Sequence, residues 1–268
     1  MNTLHKTYKL LFKGILYDPF ILGKFLIQHI VPTSAVKVKE LSDEDIVTAI
    51  KAGKSIIRLG DGEMLTLTGR DIYFQTATRK LQKSLYQLID HYQPDSPYLL
   101  GVPVKQLAIS QQEMSGRDLK IWRLYRSYFP TRFDTSQSYL PLTWFYVQGV
   151  FDTHVRPLLK DKHVIFISNS TVLDANLRQY AQKYFAMSSF IEVPSKNADK
   201  QSSATISAIE QTLASSQLSC VVVFAAGPAL KAIAADFLLE KNNPVQFLDI
   251  GHGLSLVAHP ERDRSYKA

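Results

Sequence analysis

Six short apolar runs most constrain the fold open to this chain: Ser55–Leu59, Tyr98–Val102, Val164–Ile167, Ser189–Val193, Cys220–Phe224 and Val245–Leu248. Each is rich in branched or aromatic side chains and has few polar interruptions, as strands buried on both faces should be. Between them lie stretches with helical spacing, at about 76–91, 117–128, 142–159, 171–184, 203–214 and 228–240. Ahead of the first run, Ser42 with Asp45 three residues on marks the start of a helix that ends near Ala52, before Gly53. Strands alternating with helices predict an α/β fold with a mostly parallel sheet and flanking helices. Such sheets bind ligands outside the carboxyl ends of their strands, so the loops after the strands are where chemistry is expected.

The chain has 268 residues, 46% hydrophobic and 21% charged, enough for a sizeable core. Its one cysteine, Cys220, lies in an apolar run and reads as a small core residue, which fits a reducing cytoplasm. The net charge of 31 − 24 = +7 is unevenly placed. Lys6, Lys9, Lys13, Lys24, Lys37 and Lys39 face only Asp18 in residues 1–39, so +5 of the +7 sits there. The remainder is nearly neutral, which argues against nucleic acid as a partner. Leu4, Tyr8, Leu11 and Ile15 share one side of a helix and Lys6, Lys9 and Lys13 the other. Residues 1–31 therefore read either as a helical segment on an anionic membrane surface or as helices packed on the domain with solvated lysines. No uncharged apolar run reaches the ~18 residues of a membrane span. The expected division is a basic amphipathic segment over 1–39 and one α/β domain over 40–268. The expected location is cytoplasmic, with attachment to the inner face of the plasma membrane as the outcome if residues 1–31 bind the membrane surface.

Several strand-end loops carry the residue types that chemistry needs. After the first strand comes Arg58-Leu59-Gly60-Asp61-Gly62-Glu63, two carboxylates one residue apart in a glycine turn. Asp61 and Glu63 could hold Mg²⁺ or Mn²⁺, hard ions that take oxygen ligands and need few carboxylates when phosphates complete the shell. They could equally cap the next helix. After Cys220–Phe224 comes Ala225-Ala226-Gly227-Pro228-Ala229-Leu230-Lys231. Here Gly227 permits close approach, Pro228 suits a first helical turn, and Lys231 adds charge. The other reading is a tight strand-to-helix turn. After Val245–Leu248 comes Asp249-Ile250-Gly251-His252, an acid and a histidine that could act as base or ligand or be structural. The loop Pro194-Ser195-Lys196-Asn197-Ala198 is polar enough to read a base, ribose or phosphate, and Ser168-Asn169-Ser170-Thr171 reads as a helix cap. The basic and aromatic stretch Arg117–Arg126, with Arg132, could face a diphosphate or a lipid-linked acceptor, or be an exposed helix face with aromatic core contacts. No HExxH, CxxC, GxSxG or Walker pattern is present.

The turn Arg58–Glu63, followed by Leu67-Thr68-Gly69-Arg70-Asp71-Ile72-Tyr73-Phe74-Gln75, resembles the GT-D glycosyltransferase family, whose pattern is an RxGDGE turn and then G-x-x-I-x-F-Q. The resemblance continues, in order, at Ile191–Ala198, at Gly227-Pro228-Ala229 and at Leu248–His252. Asp199 stands where the family usually has an aromatic residue, and Gly253-Leu254-Ser255 where it has an acid and aromatics. The resemblance implies a Rossmann-like domain that moves a sugar from a nucleotide sugar, typically UDP-linked, to a glycan, lipid-linked or glycoprotein acceptor. In bacteria that would serve surface polysaccharide or glycoprotein assembly. It also implies that Asp61 and Glu63 hold Mn²⁺ or Mg²⁺ against the diphosphate, and that Arg58, Gly60, Gly62, Asn197, Gly227, Pro228 and Lys231 line the donor. Asp249 and His252 stand as base candidates. The alternatives are a non-catalytic nucleotide-binding or scaffold subunit of a membrane-associated assembly, and a phosphotransferase or hydrolase using the same acidic turn.

Overall fold

The computed structural model describes residues 34–109, 119–147, 149–240 and 245–259. The amphipathic segment 1–31, with its membrane expectation, lies outside the described residues. Among the described residues, no helix is long and apolar enough to cross a membrane.

Among the described residues, eight strands form one sheet in the order β1-β4-β3-β2-β8-β7-β5-β6. They are β1 (Lys39–Glu40), β2 (Ser55–Arg58), β3 (Tyr98–Val102), β4 (Ser138–Pro141), β5 (His163–Ser168), β6 (Met187–Glu192), β7 (Cys220–Phe224) and β8 (Gln246–Asp249). All neighbours run parallel. The first four strands build one half and the last four the other. The halves meet where Ile56 of β2 lies opposite Leu248 of β8.

Burial on both faces follows from the period of two. Ile57, Leu100, Ile165, Ile167, Val222, Phe224 and Phe247 pack on one face of the sheet. Ile56, Leu99, Val164, Phe166, Val221, Val223 and Leu248 pack on the other. The first face is covered by α2 (Asp61–Leu67), α3 (Arg79–Asp90), α5 (Leu119–Arg132) and α9 (Gly227–Ala235). The second is covered by α1 (Asp43–Lys51), α7 (Ala175–Tyr184) and α10 (Gly253–Ala258). The short helices α4 (Val104–Ala108) and α6 (Arg156–Leu159) and the longer α8 (Ser202–Ser215) complete the layers.

The Ser42–Asp45 start of α1 forms a full capping box. The start of α7 differs from the sequence expectation: Asp174, three residues beyond Thr171, accepts from the Leu177 N–H at 3.0 Å. The expected helix over 142–159 is broken into a 3₁₀ turn (Trp144–Tyr146), a π turn (Phe151–Val155) and α6. Gly149, at φ +80°, breaks it with a backbone sense no helix continues. Pro157 then lacks the N–H an uninterrupted helix would need, so it sits at the start of α6. Of the basic stretch ahead of Arg132, Arg117 and Asp118 lie outside the described residues, and Tyr125 and Arg126 are built inward. Tyr125 is buried and donates to the Leu59 carbonyl at 2.8 Å, and Arg126 is buried and donates to the carbonyls of Gln106 and Ile109. Arg132 pairs with exposed Asp90 at 3.4 Å.

Candidate functional site

The site forms where β2 and β8 end side by side. The turn after β2 opens α2, and its two acids take different positions. Glu63 is the third residue of that helix, so its side chain folds back over the start, and Oε2 accepts the Gly60 N–H at 2.9 Å. Its Oε1 receives Lys231 Nζ at 2.6 Å. Asp61 is exposed, and one of its oxygens accepts the Gly62 N–H at 2.9 Å.

Beneath the turn lies a buried ionic quartet. Lys231 Nζ also reaches Asp249 Oδ2 at 3.2 Å. Asp249 Oδ2 accepts the Arg58 backbone N–H at 3.1 Å, and its Oδ1 faces Arg58 Nη2 at 3.5 Å. Arg58 donates to the Leu142 carbonyl at 2.8 Å and lies under the Tyr146 ring, 4.8 Å from its centroid. Two cations thus meet two carboxylates, and the group carries no net charge. Burial alone would push the Lys231 pKa down, but Asp249 and Glu63 outweigh it and hold the ammonium above its ordinary value. Arg58 behaves alike: burial opposes its charge, and Asp249, Tyr146 and Glu63 together raise its pKa. Burial, reinforced by the Glu63 charge, pushes the Tyr125 phenol well above its usual range, so it stays a neutral donor.

The expected donor residues therefore fall into two sets. Arg58, Glu63, Lys231 and Asp249 form the floor, with their charges spent on one another. Asp61 and His252 are exposed at the rim. His252 sits at the start of α10, its ring 6.1 Å from that of Tyr146. Among the described residues, no three His, Cys, Asp or Glu side chains gather as a ready-made metal cage. A Mn²⁺ or Mg²⁺ ion that keeps its waters and takes phosphate oxygens needs only one carboxylate, and Asp61 fits that donor set. Glu63 is buried, and each of its oxygens already accepts from a protein donor, so Asp61 is the more open of the two carboxylates.

Asn197 is a clamp. It stands in the left-handed region at φ +51°, its N–H donates to the Phe74 carbonyl at 2.8 Å, and its Oδ1 accepts the Thr76 N–H at 2.8 Å. Asp199, where the family pattern expects an aromatic residue, accepts from buried Gln75 Nε2 at 2.7 Å. The loop after β6 thus holds the loop after α2. Gly227 opens α9 at φ +60°, and Pro228 follows in its first turn. A Cβ on Gly227 would lie 2.6 Å from the Phe74 ring. Gly227→Ala is therefore expected to lower stability by about 1–3 kcal/mol, through left-handed strain and overpacking together. A shifted midpoint in urea unfolding checks this.

From the sequence alone, no individual role falls to Tyr146, Tyr125 or Tyr73. The first two are recognisable only from contacts distant in the chain. Tyr73-Phe74, an adjacent aromatic pair four residues past Gly69, is a visible signal in the sequence.

Compared with known proteins, the chain matches the family model described as "Glycosyltransferase GT-D fold" over residues 56–255. The chain belongs to this glycosyltransferase family. A solved structure described as domain of unknown function 1792, with "a distinct glycosyltransferase fold", superimposes with a TM-score of 0.69 at 19% identity, over 91% of this chain and 88% of that one. A glycosyltransferase (DUF1792) from Streptococcus sanguinis superimposes with a TM-score of 0.63 at 19% identity, over 80% and 81% of the two chains. These likenesses are of fold. No curated protein matches the chain.

Proposed function

We propose that this glycosyltransferase uses a nucleotide sugar, UDP-linked by family resemblance, and passes its sugar to a hydroxyl of a glycan, lipid-linked or glycoprotein acceptor. Surface polysaccharide or glycoprotein assembly is the pathway class this fits. The observation that carries the reading is the exposed Asp61, in a family-type turn at the meeting point of the two half-sheets, fixed from below by a neutral quartet. In the reaction, the bond from the sugar anomeric carbon to the diphosphate breaks and a bond to the acceptor oxygen forms. The departing diphosphate gains negative charge, which a divalent ion at Asp61 would offset. The chain's own residues do the rest. The quartet holds the turn rigid, so Asp61 need not reorganise as charge develops. Asp249 is enclosed by Arg58 and Lys231, so the exposed His252 is the better-placed group to take the acceptor proton if stereochemistry inverts.

The test is release of nucleoside diphosphate from a panel of nucleotide sugars with Mn²⁺ or Mg²⁺. Slow release from one donor, raised by the metal, is expected. Free phosphate in place of nucleoside diphosphate would point to a phosphotransferase or hydrolase. Binding with no turnover under any condition would point to a non-catalytic subunit.

A further inference from the structure

The loop between α2 and α3 is tied down, yet it presents an aromatic ring to solvent. Ile72 and Gln75 exchange backbone hydrogen bonds at 2.9 and 3.2 Å, and Asp71 accepts the Ala77 N–H at 2.8 Å. Asn197 and Asp199 hold Phe74, Gln75 and Thr76 from the other side. Within this frame the side chains diverge. Ile72 packs where a Cβ on Gly62 would lie 3.3 Å from it, and Phe74 packs against Gly227. Tyr73, between them, is 88% exposed, the most exposed large apolar side chain among the described residues. Lys196 Nζ stands 5.1 Å from its ring centroid. A rigid loop that fixes its neighbours and leaves one ring open has no core-packing reason to carry an aromatic residue there.

We propose that Tyr73 is the stacking platform for the nucleobase of the donor, with Lys196 bracing its ring. The proposal rests on the nucleotide-sugar reading above. Ile72 packs beside Gly62, in the turn that carries Asp61, so Tyr73 is next in the chain to a residue that borders that turn. The base is the part of a nucleotide sugar tethered to that diphosphate on the side away from the transferred sugar. Tyr146, after β4, packs with the opposite face of the sheet from α2 and has His252 beside it, and the proposal assigns that side to sugar and acceptor. A tyrosine has two side-chain torsions to order, so a pinned one stacks at little entropic cost.

The test compares Tyr73→Ala with Tyr73→Phe in the full chain, by calorimetric titration of UDP and of pyrophosphate, each with Mg²⁺. Tyr73→Ala is expected to weaken UDP by about ten- to a hundredfold, the range that base–aromatic stacking commands. Pyrophosphate affinity and melting temperature should stay as in the wild type, and Tyr73→Phe should bind UDP normally. Unchanged UDP affinity in Tyr73→Ala overturns the proposal, including the case in which only the acceptor KM rises. Equal weakening of UDP and pyrophosphate overturns it too, because the turn rather than the base would have been disturbed. A wild type that binds no nucleoside diphosphate (UDP, GDP, ADP or CDP) overturns the donor reading and the platform with it.

Discussion

Lys231→Met should lower the unfolding free energy by about 3–5 kcal/mol, the cost of leaving a buried carboxylate without its cation. Lys231 is the only member of the quartet that touches both acids, at 2.6 Å to Glu63 and 3.2 Å to Asp249. Methionine fills much the same volume, so the loss is chiefly electrostatic. Arg58 still faces Asp249 in the variant, which leaves Glu63 as the carboxylate most exposed to the change. The double variant Lys231→Met with Glu63→Met should therefore lose less than the two single variants added together, because it removes both charges of one pair. Urea unfolding of the four proteins in the cycle measures this, and additive losses would dissolve the idea of a coupled pair. The pH dependence has a definite sign. The Lys231 pKa is raised in the folded protein, so its contribution is fully present below the ordinary lysine value and fades only as pH climbs beyond about 10. Between neutrality and pH 9, this group should leave stability level.

Much of the fold was legible because strands buried on both faces leave unbroken apolar runs. Val221-Val222-Val223 could hardly be anything else, and its neighbours in β5 and β8 read the same way. Strand β4 escaped because Ser138-Tyr139-Leu140-Pro141 has only two fully buried positions and ends in a proline, which reads as a loop. Strand β1 has two residues, both exposed, at the sheet edge, and also lies at the expected boundary between 39 and 40. The site was legible as a set of loops but not as a circuit. Glu63 and Lys231 are 168 residues apart, and Arg58 and Asp249 are 191 apart. No local pattern reports which acid meets which base at that range. The spacing Asp61-x-Glu63 suggested two equivalent ligands, while the helix that begins there sends the first residue outward and the third back onto its own cap. Of the two readings of the turn, the helix cap falls to Glu63, and Asp61 stays open as the metal ligand proposed above.

That division predicts opposite behaviour for Asp61→Asn and Glu63→Gln. Asp61→Asn removes a carboxylate from an exposed position and should alter stability by no more than about 1 kcal/mol, the scale of an acid in a first helical turn. Its turnover should fall by on the order of a hundredfold or more, since even partners beyond a metal's direct ligands cost tenfold to a hundredfold when lost. Glu63→Gln keeps an oxygen for the Gly60 N–H but offers Lys231 a neutral amide in place of a charge. It should cost about 1.5–3 kcal/mol, the range for a hydrogen bond to a charged group. Its turnover, measured well below its melting temperature, should fall much less than that of Asp61→Asn. Thermal melts and nucleoside diphosphate release, run side by side on both variants, decide the matter. If Glu63→Gln keeps its stability and loses turnover as completely as Asp61→Asn, then Lys231 releases Glu63 when donor arrives, and both carboxylates face it. If the stability loss falls on Glu63→Gln and the turnover loss on Asp61→Asn, the quartet is a fixed floor, and the donor meets one carboxylate held in place by another.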